Sequence, residues 1–207
     1  IIVSLFGVLI MKKKGLNLDD PVYLFPKYAP SRGGATDIAF VDKSVKTEYR
    51  TMKTVVKSIY FKACVDRQAM RRIGCEITGR KNLVPLLVNS RILLAPFKMR
   101  KPLVRGDACY GYANYFAIEE ISEDGHTCLI RFFNGLTIPV LGSAASARKL
   151  YGDASLIAKS DILKACGCME SDSSSNYFYG AEGNPASKSD IEELKRELWI
   201  IRDVLGL

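Results

Sequence analysis

The sequence predicts an α+β fold: a β-rich single domain with a basic helix and a hairpin, followed by a linker and a C-terminal helix. Hydrophobic residues make up 48% of the 207 residues, which is enough for a buried core. Short apolar runs bounded by Gly and Pro are typical of strands, whereas Thr54 to Gly74 has the three-to-four apolar spacing of a helix. We expect the domain to cover residues 20–168.

The first half of the domain is predicted to contain two strands and the basic helix. The strands are PVYLFPKY (21–28) and TDIAFVD (36–42), which the breaker cluster APSRGGA separates. One continuous helix is expected from Thr54, because no Gly or Pro interrupts the apolar spacing before Gly74. Arg67 and Arg71 lie four residues apart in its second half, so they share one helix face.

The second half is predicted to consist mostly of strands. The runs 82–88 and 91–97 each contain a proline, which cannot donate to a strand ladder, so we expect both at sheet edges or ending there. A basic loop follows, and residues 110–121 are predicted to continue as a tyrosine-rich strand. Asn134 and Gly135 separate two apolar runs and indicate a tight hairpin, whose two central residues both need positive φ. One or two short helices are expected before the linker.

The segments outside the domain have their own patterns. Residues 1–19 are an apolar and basic extension, whose ten-residue run IIVSLFGVLI is too short to span a bilayer. We expect Met11 to be the true start, with a signal tail or the end of a truncated membrane helix as the alternative. Residues 169–187 are predicted to be a linker. Residues 188–207 are predicted to form an amphipathic helix that docks on the domain, with self-association or partner binding as the alternative.

Positive charge is concentrated in one block of the sequence. Residues 67–105 contain ten Lys or Arg and one Glu, whereas residues 106–207 contain 9 basic and 15 acidic residues. The formal net charge of the whole chain is +8. A block of this kind predicts a polyanionic partner, either nucleic acid or an anionic membrane surface, and a solvated basic face is the alternative.

No catalytic pattern is recognisable in the sequence. It contains no nucleophile elbow, P-loop, His-Glu-x-x-His or dinucleotide-binding motif. The single histidine, His126, lies in a polar turn and is interpreted as a surface residue rather than a general base. Glu119 and Glu120 are neighbours on a predicted strand, so we expect them to point to opposite faces. We therefore predict a protein that is not an enzyme and has no cofactor.

The cysteines predict neither a metal site nor a disulfide framework. None belongs to a Cys-x-x-Cys motif, and only Cys166 and Cys168 lie close together, so zinc is a minor alternative. A chain of this length without an evident disulfide framework favours a reducing cytoplasm. The six residues are Cys64, Cys75, Cys109, Cys128, Cys166 and Cys168.

Double-stranded DNA is the predicted polyanion. Seven of the ten basic residues in the block are arginines, whose planar guanidinium suits phosphate and groove contacts. No helix-turn-helix or zinc-finger spacing accompanies them, so insertion into a narrow A/T-rich minor groove and contact with phosphates both stay open. Arg71 and Arg72 are the first candidates, because a helix would hold them rigidly. The residues predicted to contact DNA are Arg67, Arg71, Arg72, Arg80, Lys81, Lys98, Arg100, Lys101 and Arg105.

Several short motifs occur in a fixed order between Asp37 and Lys164. A basic helix leads into a Leu-Thr-Gly-like segment. A Val-Pro-Ile-like strand follows, and then an apolar strand that ends in proline. A Phe-x-Asn-Gly-like turn and an alternating strand then lead to a serine. The residues concerned are Ile77-Thr78-Gly79, Val84-Pro85-Leu86, Leu94-Ala95-Pro96 and Phe133-Asn134-Gly135 through Ser143. This order resembles the bacterial competence transcription factor (ComK) family.

The resemblance implies a cytoplasmic, sequence-specific transcription activator. It also implies binding to A/T-rich DNA through the minor groove, a homo-oligomeric state, activation of competence (DNA-uptake) genes, and an adaptor protein as a further partner. The first alternative is a protein-interaction or adaptor module whose basic block is a solvated face. The second is a small enzyme or a membrane-associated protein, the latter based on the apolar run followed by Lys12, Lys13 and Lys14. We predict no membrane association.

Overall fold

The described strands form two antiparallel sheets. The computed structural model describes residues 16–29, 33–103, 107–125 and 127–163. The larger sheet has the strand order β3-β2-β1-β6-β5-β4 and consists of β1 (Pro21–Ala29), β2 (Gly33–Phe40), β3 (Val45–Glu48), β4 (Leu86–Leu87), β5 (Leu93–Lys98) and β6 (Tyr110–Asn114). The smaller sheet has the order β7-β8-β9 and consists of β7 (Ile118–Asp124), β8 (Thr127–Phe132) and β9 (Thr137–Val140).

Some sequence predictions concern residues outside the described ranges. They are the first fifteen residues of the N-terminal extension, the linker over 169–187 and the helix over 188–207. Arg105, His126, Cys166 and Cys168 also lie outside the described residues.

The helices α1 (Met52–Lys62), α2 (Arg67–Thr78) and α3 (Ala144–Ala158) accompany the sheets. Each follows a polar residue whose side chain accepts a hydrogen bond from a backbone N–H of the first turn; these residues are Thr51, Asp66 and Ser143. α2 ends at Gly79, which has a φ of 67° in the left-handed region that favours glycine. Helices beside antiparallel sheets confirm the α+β prediction.

The two faces of the six-stranded sheet are covered by different layers. Leu94 of β5 points to one face and packs in a cluster with Val56 of α1. Phe97 of β5 belongs to a second cluster, which contains Ile130 of the small sheet and Ile157 of α3. Because successive side chains of a strand point to opposite faces, β5 contributes to both clusters and is buried along most of its length.

Helix α2 connects these two layers. Met70 packs against both clusters, and Ile77, one residue before the end of the helix, packs against the cluster that contains α3. Between them, Gly74 allows a close approach: a Cβ at this position would lie 2.8 Å from Cγ1 of Val84. α2 is therefore fixed along one side, which leaves Arg71 and Arg72 on its exposed side.

The prediction of one continuous helix from Thr54 to Gly74 is wrong. The chain leaves α1 at Cys64, which has a φ of 54°, and starts α2 after Asp66. The Asp66 carboxylate accepts hydrogen bonds from the N–H groups of Gln68 and Ala69, at 2.7 and 3.3 Å. This cap starts a new helix because it satisfies N–H groups that have no carbonyl partner in the first turn.

The predictions for the two proline-containing strands have different outcomes. β4 lies at the edge of the sheet, as expected, whereas β5 is an interior strand that contains Pro96. β4 pairs only with Leu93 and Leu94, so Pro96 lies where one side of β5 has no neighbouring strand. Proline is tolerated in such a position.

The strand predicted over 110–121 is divided in two. β6 ends at Asn114, and a 3-10 turn over Tyr115–Ala117 leads into β7 in the other sheet. The buried Asn114 side chain accepts a hydrogen bond from the N–H of Phe116 and donates to the carbonyl of Pro21. A side chain that replaces strand hydrogen bonds in this way ends β6 and turns the chain.

The predicted hairpin is present, with a different turn. Gly135 has a φ of 85°, but Asn134 does not have positive φ; the N–H of Gly135 donates to the carbonyl of Phe132 instead. Such a three-residue connection needs one left-handed residue, not two. The buried Asn134 amide donates to the carbonyls of Phe40 and Val41, at 3.3 Å each. Asn134 therefore fastens the small sheet to the end of β2.

Candidate nucleic-acid interface

A cleft of about 380 Å³ lies where α1, α2 and the six-stranded sheet meet. α1 contributes its first turns, α2 contributes its first residue, and β6 contributes two tyrosines. The lining residues are Met52, Lys53, Val56, Arg67, Asp107, Ala108, Cys109, Tyr110 and Tyr112. Two of these side chains are basic and one is acidic.

The two helices reach this cleft with their N-terminal ends. Thr51 caps α1 immediately before Met52 and Lys53, and Asp66 caps α2 immediately before Arg67. The N-terminus of a helix carries a partial positive charge from its aligned peptide dipoles. The helix geometry therefore adds to the positive potential that the Lys53 and Arg67 side chains create.

The strand register places a third basic residue on the same face of the sheet as the cleft. Lys98 of β5 pairs directly with Tyr110 of β6, and Pro96 pairs with Tyr112. Directly opposite residues of an antiparallel pair project from the same face. Lys98 is exposed and shares the face of the two cleft tyrosines.

The tyrosine pKa values indicate which charges lie close to the cleft. Burial raises the pKa of Tyr112, and the positive charges of Arg67 and Arg71 oppose that rise. Burial also raises the pKa of Tyr60. The nearby Tyr112 raises this pKa further, whereas the positive charge of Arg67 lowers it. Both arginines therefore lie near enough to act on the cleft floor electrostatically.

The cations of α1 and of the first half of α2 have no carboxylate partners among the described residues. We call them the helix cations: Lys53, Lys57, Lys62, Arg67, Arg71 and Arg72. The salt bridges of the described residues involve other cations. α1 contains no acidic residue, and the one acid within α2, Glu76, forms no salt bridge to a described cation. These charges are available to an external anion.

The predicted DNA-contacting residues of α2 and the loop after it have unequal surroundings. Arg72 is exposed and Arg67 is half-buried at the cleft. Arg71 is exposed, and its guanidinium donates a 2.6 Å hydrogen bond to the carbonyl of Lys81, which holds it against the loop. The Lys81 side chain itself is exposed.

Arg80 is engaged within the domain. Its Nε lies 2.5 Å from a carboxylate oxygen of Asp153 on α3, and the two side chains are 25% and 13% exposed. This ion pair joins the loop after α2 to α3. Arg80 is therefore less available to a partner than Arg71 and Arg72, which have no carboxylate partner among the described residues.

The basic loop after β5 is held by a cluster around Tyr28. The Arg100 guanidinium lies 4.1 Å from the centre of the Tyr28 ring and donates to the carbonyl of Ala108. The Tyr28 hydroxyl donates to the Asp107 carboxylate, which also accepts from the N–H of Leu103. Lys101, the residue after Arg100, is exposed. Arg105, the last predicted residue, lies outside the described residues.

Sequence reasoning missed Lys53 as part of this surface. The predicted basic block begins at residue 67, whereas the cleft brings Lys53 of α1 together with Arg67 of α2. A signal was present in the sequence: Lys53 and Lys57 are four residues apart in a segment without acids, so they share a helix face.

The prediction that Glu119 and Glu120 point to opposite faces is wrong. The pairing of β7 with β8 shifts register between Ile118 and Glu120. Both carboxylates consequently reach Arg131, at 3.2 and 2.5 Å, in an exposed ion pair. A bulge places two successive residues opposite one partner, which removes the strict alternation.

Two further findings concern the described residues alone. No group of three or more His, Cys, Asp or Glu side chains within 16–29, 33–103, 107–125 and 127–163 has a geometry that could hold a metal ion. In the same ranges, no helix combines the length and the apolar character required to traverse a bilayer.

Comparisons with known proteins give no match. No family model matches this chain, and neither the curated proteins nor the solved structures contain one that does. The resemblance to the competence transcription factor family therefore stays a prediction. The functional argument depends on the residues of the cleft and the two helices around it.

Proposed function

We propose that this protein is a cytoplasmic, sequence-specific transcription regulator that binds A/T-rich double-stranded DNA as a homo-oligomer. The observation that carries the proposal is the group of helix cations, two of which line the cleft and none of which has a carboxylate partner among the described residues. A polyanion can pair with these charges without first breaking an internal salt bridge.

Duplex DNA is the polyanion that this arrangement favours. Three of the six helix cations are arginines on α2, and an arginine held by a helix offers a rigid, planar donor to phosphates or to a narrow minor groove. Phosphate contacts release condensed counterions, which favours binding at low salt. The preference for A/T-rich sites, the oligomeric state and the control of competence genes come from the family resemblance.

The salt dependence of binding tests the proposal directly. With about five phosphates neutralised, the logarithm of the association constant should fall by about 4.5 for each tenfold rise in salt. A titration of fluorescent A/T-rich and G/C-rich duplexes between low and moderate salt measures this slope and the preference for A/T-rich DNA. Equal affinity for the two duplexes would contradict specific recognition of the minor groove. No binding at low salt would favour a protein-interaction module with a solvated basic face.

Replacement of Arg71 and Arg72 separates groove readout from phosphate contact. In Arg71→Ala/Arg72→Ala, binding should weaken by roughly a hundredfold or more, since two charge-assisted hydrogen bonds of about 1.5 kcal/mol or more each are lost. If these arginines enter the groove, the preference for A/T-rich duplex should shrink as well. An unchanged affinity would exclude both residues from the interface.

A further inference from the structure

The cleft is more than an exposed basic patch, because its walls and floor have different chemistry. Lys53 and Arg67 stand on two helices, and Tyr110 and Tyr112 belong to the strand beneath them. A volume of about 380 Å³ is far larger than the roughly 30 Å³ that one water occupies. The cleft has room for a phosphate group together with the sugar attached to it.

The one carboxylate in the lining is already engaged by neighbouring donors. Asp107 accepts hydrogen bonds from the Tyr28 hydroxyl and from the N–H of Leu103, and Arg100 stacks on the same tyrosine ring. These donors occupy the Asp107 carboxylate with contacts inside the domain. Lys53 and Arg67, in contrast, have no salt bridge to a described residue. The net character of the cleft is cationic.

We propose that the cleft seats one phosphodiester group of the bound DNA between the side chains of Lys53 and Arg67. This inference rests on the proposed function and adds the place where the DNA backbone is held. Tyr110 and Tyr112 form the floor against which the deoxyribose packs. The two helix N-termini at the cleft supplement the two side-chain charges.

A backbone contact of this kind positions the duplex without reading its sequence. Phosphate contacts set the register of a protein on DNA, whereas base edges and groove shape carry the sequence information. The cleft residues should therefore affect all duplexes equally, unlike Arg71 and Arg72 if these arginines read the groove. An equal loss of affinity for all duplexes therefore distinguishes a contact in the cleft from a groove contact of Arg71 or Arg72.

Charge-neutral variants test the two side chains. Lys53→Gln and Arg67→Gln should each bind A/T-rich and G/C-rich duplexes about tenfold more weakly, and each should reduce the salt slope by up to about 0.9. Lys149→Gln is the matched control, because Lys149 is exposed on α3 and has no salt bridge to a described residue. It should leave the affinity within about twofold of wild type.

Cys109 provides a second measurement that needs no change in the cleft. Its half-buried thiol lines the cleft, so a seated sugar-phosphate should slow its alkylation by iodoacetamide, followed by peptide mass spectrometry. A reference thiol introduced by Ala145→Cys, at an exposed position of α3, should react at the same rate with and without duplex.

The outcomes distinguish this inference from the proposed function. Weaker binding in both cleft variants together with protection of Cys109 supports the seated phosphodiester. Duplex binding with unchanged affinity in both variants, or with an unprotected Cys109, overturns the cleft assignment and leaves DNA binding in place. Absence of duplex binding at low salt overturns both proposals.

Discussion

Three cations of the strands and the six helix cations of this domain have opposite surroundings, and Lys98 of β5 belongs to neither group. In the strands, Lys27 pairs with Asp37, Lys46 pairs with Glu48, and Arg131 pairs with two glutamates; we call these three the strand cations. The helix cations of α1 and α2 have no such partner among the described residues. Each cation of either group contributes one positive charge, yet only the helix cations can bind a polyanion without losing an ion pair to a described residue.

The difference follows from the geometry of the two kinds of element. In a sheet, residues two apart on one strand and residues directly opposite on the next share a face, so alternating charges meet readily. On a helix surface, neighbours are three or four residues apart, and α1 contains no acid at any spacing. Surface salt bridges add little stability, so the pairing matters mainly for which charges remain available.

The largest expected effect comes from breaking the sheet beneath the helices. A Cβ at Gly111 of β6 would collide with the Leu24 carbonyl and the Met99 sulfur. We expect Gly111→Ala to lower the free energy of unfolding by about 3 kcal/mol or more in urea denaturation, and to disrupt the cleft with it. Gly152→Ala is the matched control: its site on α3 is open, so it should stabilise by roughly 0.5 kcal/mol. Similar values for the two variants would contradict the close packing at Gly111.

A smaller effect is expected at the ion pair between Arg80, in the loop after α2, and Asp153 of α3. Unlike the helix cations, Arg80 has a carboxylate partner. Asp153→Asn removes the partner of the partly buried Arg80, and we expect a loss of about 2 kcal/mol in unfolding free energy. Arg80→Met together with Asp153→Asn should recover part of the loss, which a double-mutant cycle measures. DNA affinity should not weaken in Asp153→Asn, since no positive charge is lost. A weaker affinity would place Asp153 in the interface.

Loss of the hydrogen bond that attaches α1 to β4 of the sheet should lower the free energy of unfolding by about 1 kcal/mol. The buried Tyr60 hydroxyl donates a 3.0 Å hydrogen bond to the carbonyl of Leu87, so Tyr60→Phe leaves that carbonyl without this donor. We expect a loss of about 1 kcal/mol in urea denaturation at neutral pH. A variant as stable as wild type would show that this bond does not hold α1 in place.

The same tyrosine should make stability depend on alkaline pH. Burial raises the pKa of Tyr60 above its ordinary value of 10.0, so the folded state keeps a proton that the unfolded chain releases. Burial, together with Tyr115, also raises the pKa of Tyr151 to about 12. Unfolding free energy should therefore be constant below about pH 9 and fall as the pH rises past 10. The fall should be shallower in Tyr60→Phe; equal slopes would contradict the buried environment.

The smallest effect is expected for an exposed strand pair. Lys46→Gln removes one partner of the Lys46–Glu48 ion pair, whose lysine is 66% exposed. Unfolding free energy should change by less than about 0.5 kcal/mol, because solvent and salt screen such pairs. Duplex affinity should stay within about threefold of wild type. A large loss of affinity would remove the distinction between strand and helix cations.

Local patterns in the sequence predicted most of the elements but not the places where tertiary contacts override them. β1 and the strands of the hairpin follow from alternation and turn residues, which act over a few positions. The break at Cys64 does not, since positive φ in a non-glycine residue depends on the surrounding packing. The bulge beside Glu120 is likewise set by the pairing of β7 with β8.

The site was predictable as a charge block and not as a cleft. Arg67, Arg71 and Arg72 lie on one helix, as their spacing predicts, whereas their contact with DNA stays a prediction. The partner of Arg80 on α3 is distant in the sequence, and no local pattern indicates it. The meeting of Lys53 with Arg67 likewise depends on how α1 and α2 pack on the sheet.

The most direct test compares two variants that lose the same charge. Lys53→Gln/Arg67→Gln/Arg72→Gln removes three helix cations, and Lys27→Gln/Lys46→Gln/Arg131→Gln removes the three strand cations. At moderate salt, we expect the first variant to bind duplex DNA about a hundredfold or more weakly than wild type and the second to stay within about threefold. Equal losses in both variants would show that net charge alone governs binding, and would contradict the assignment of the interface to α1 and α2.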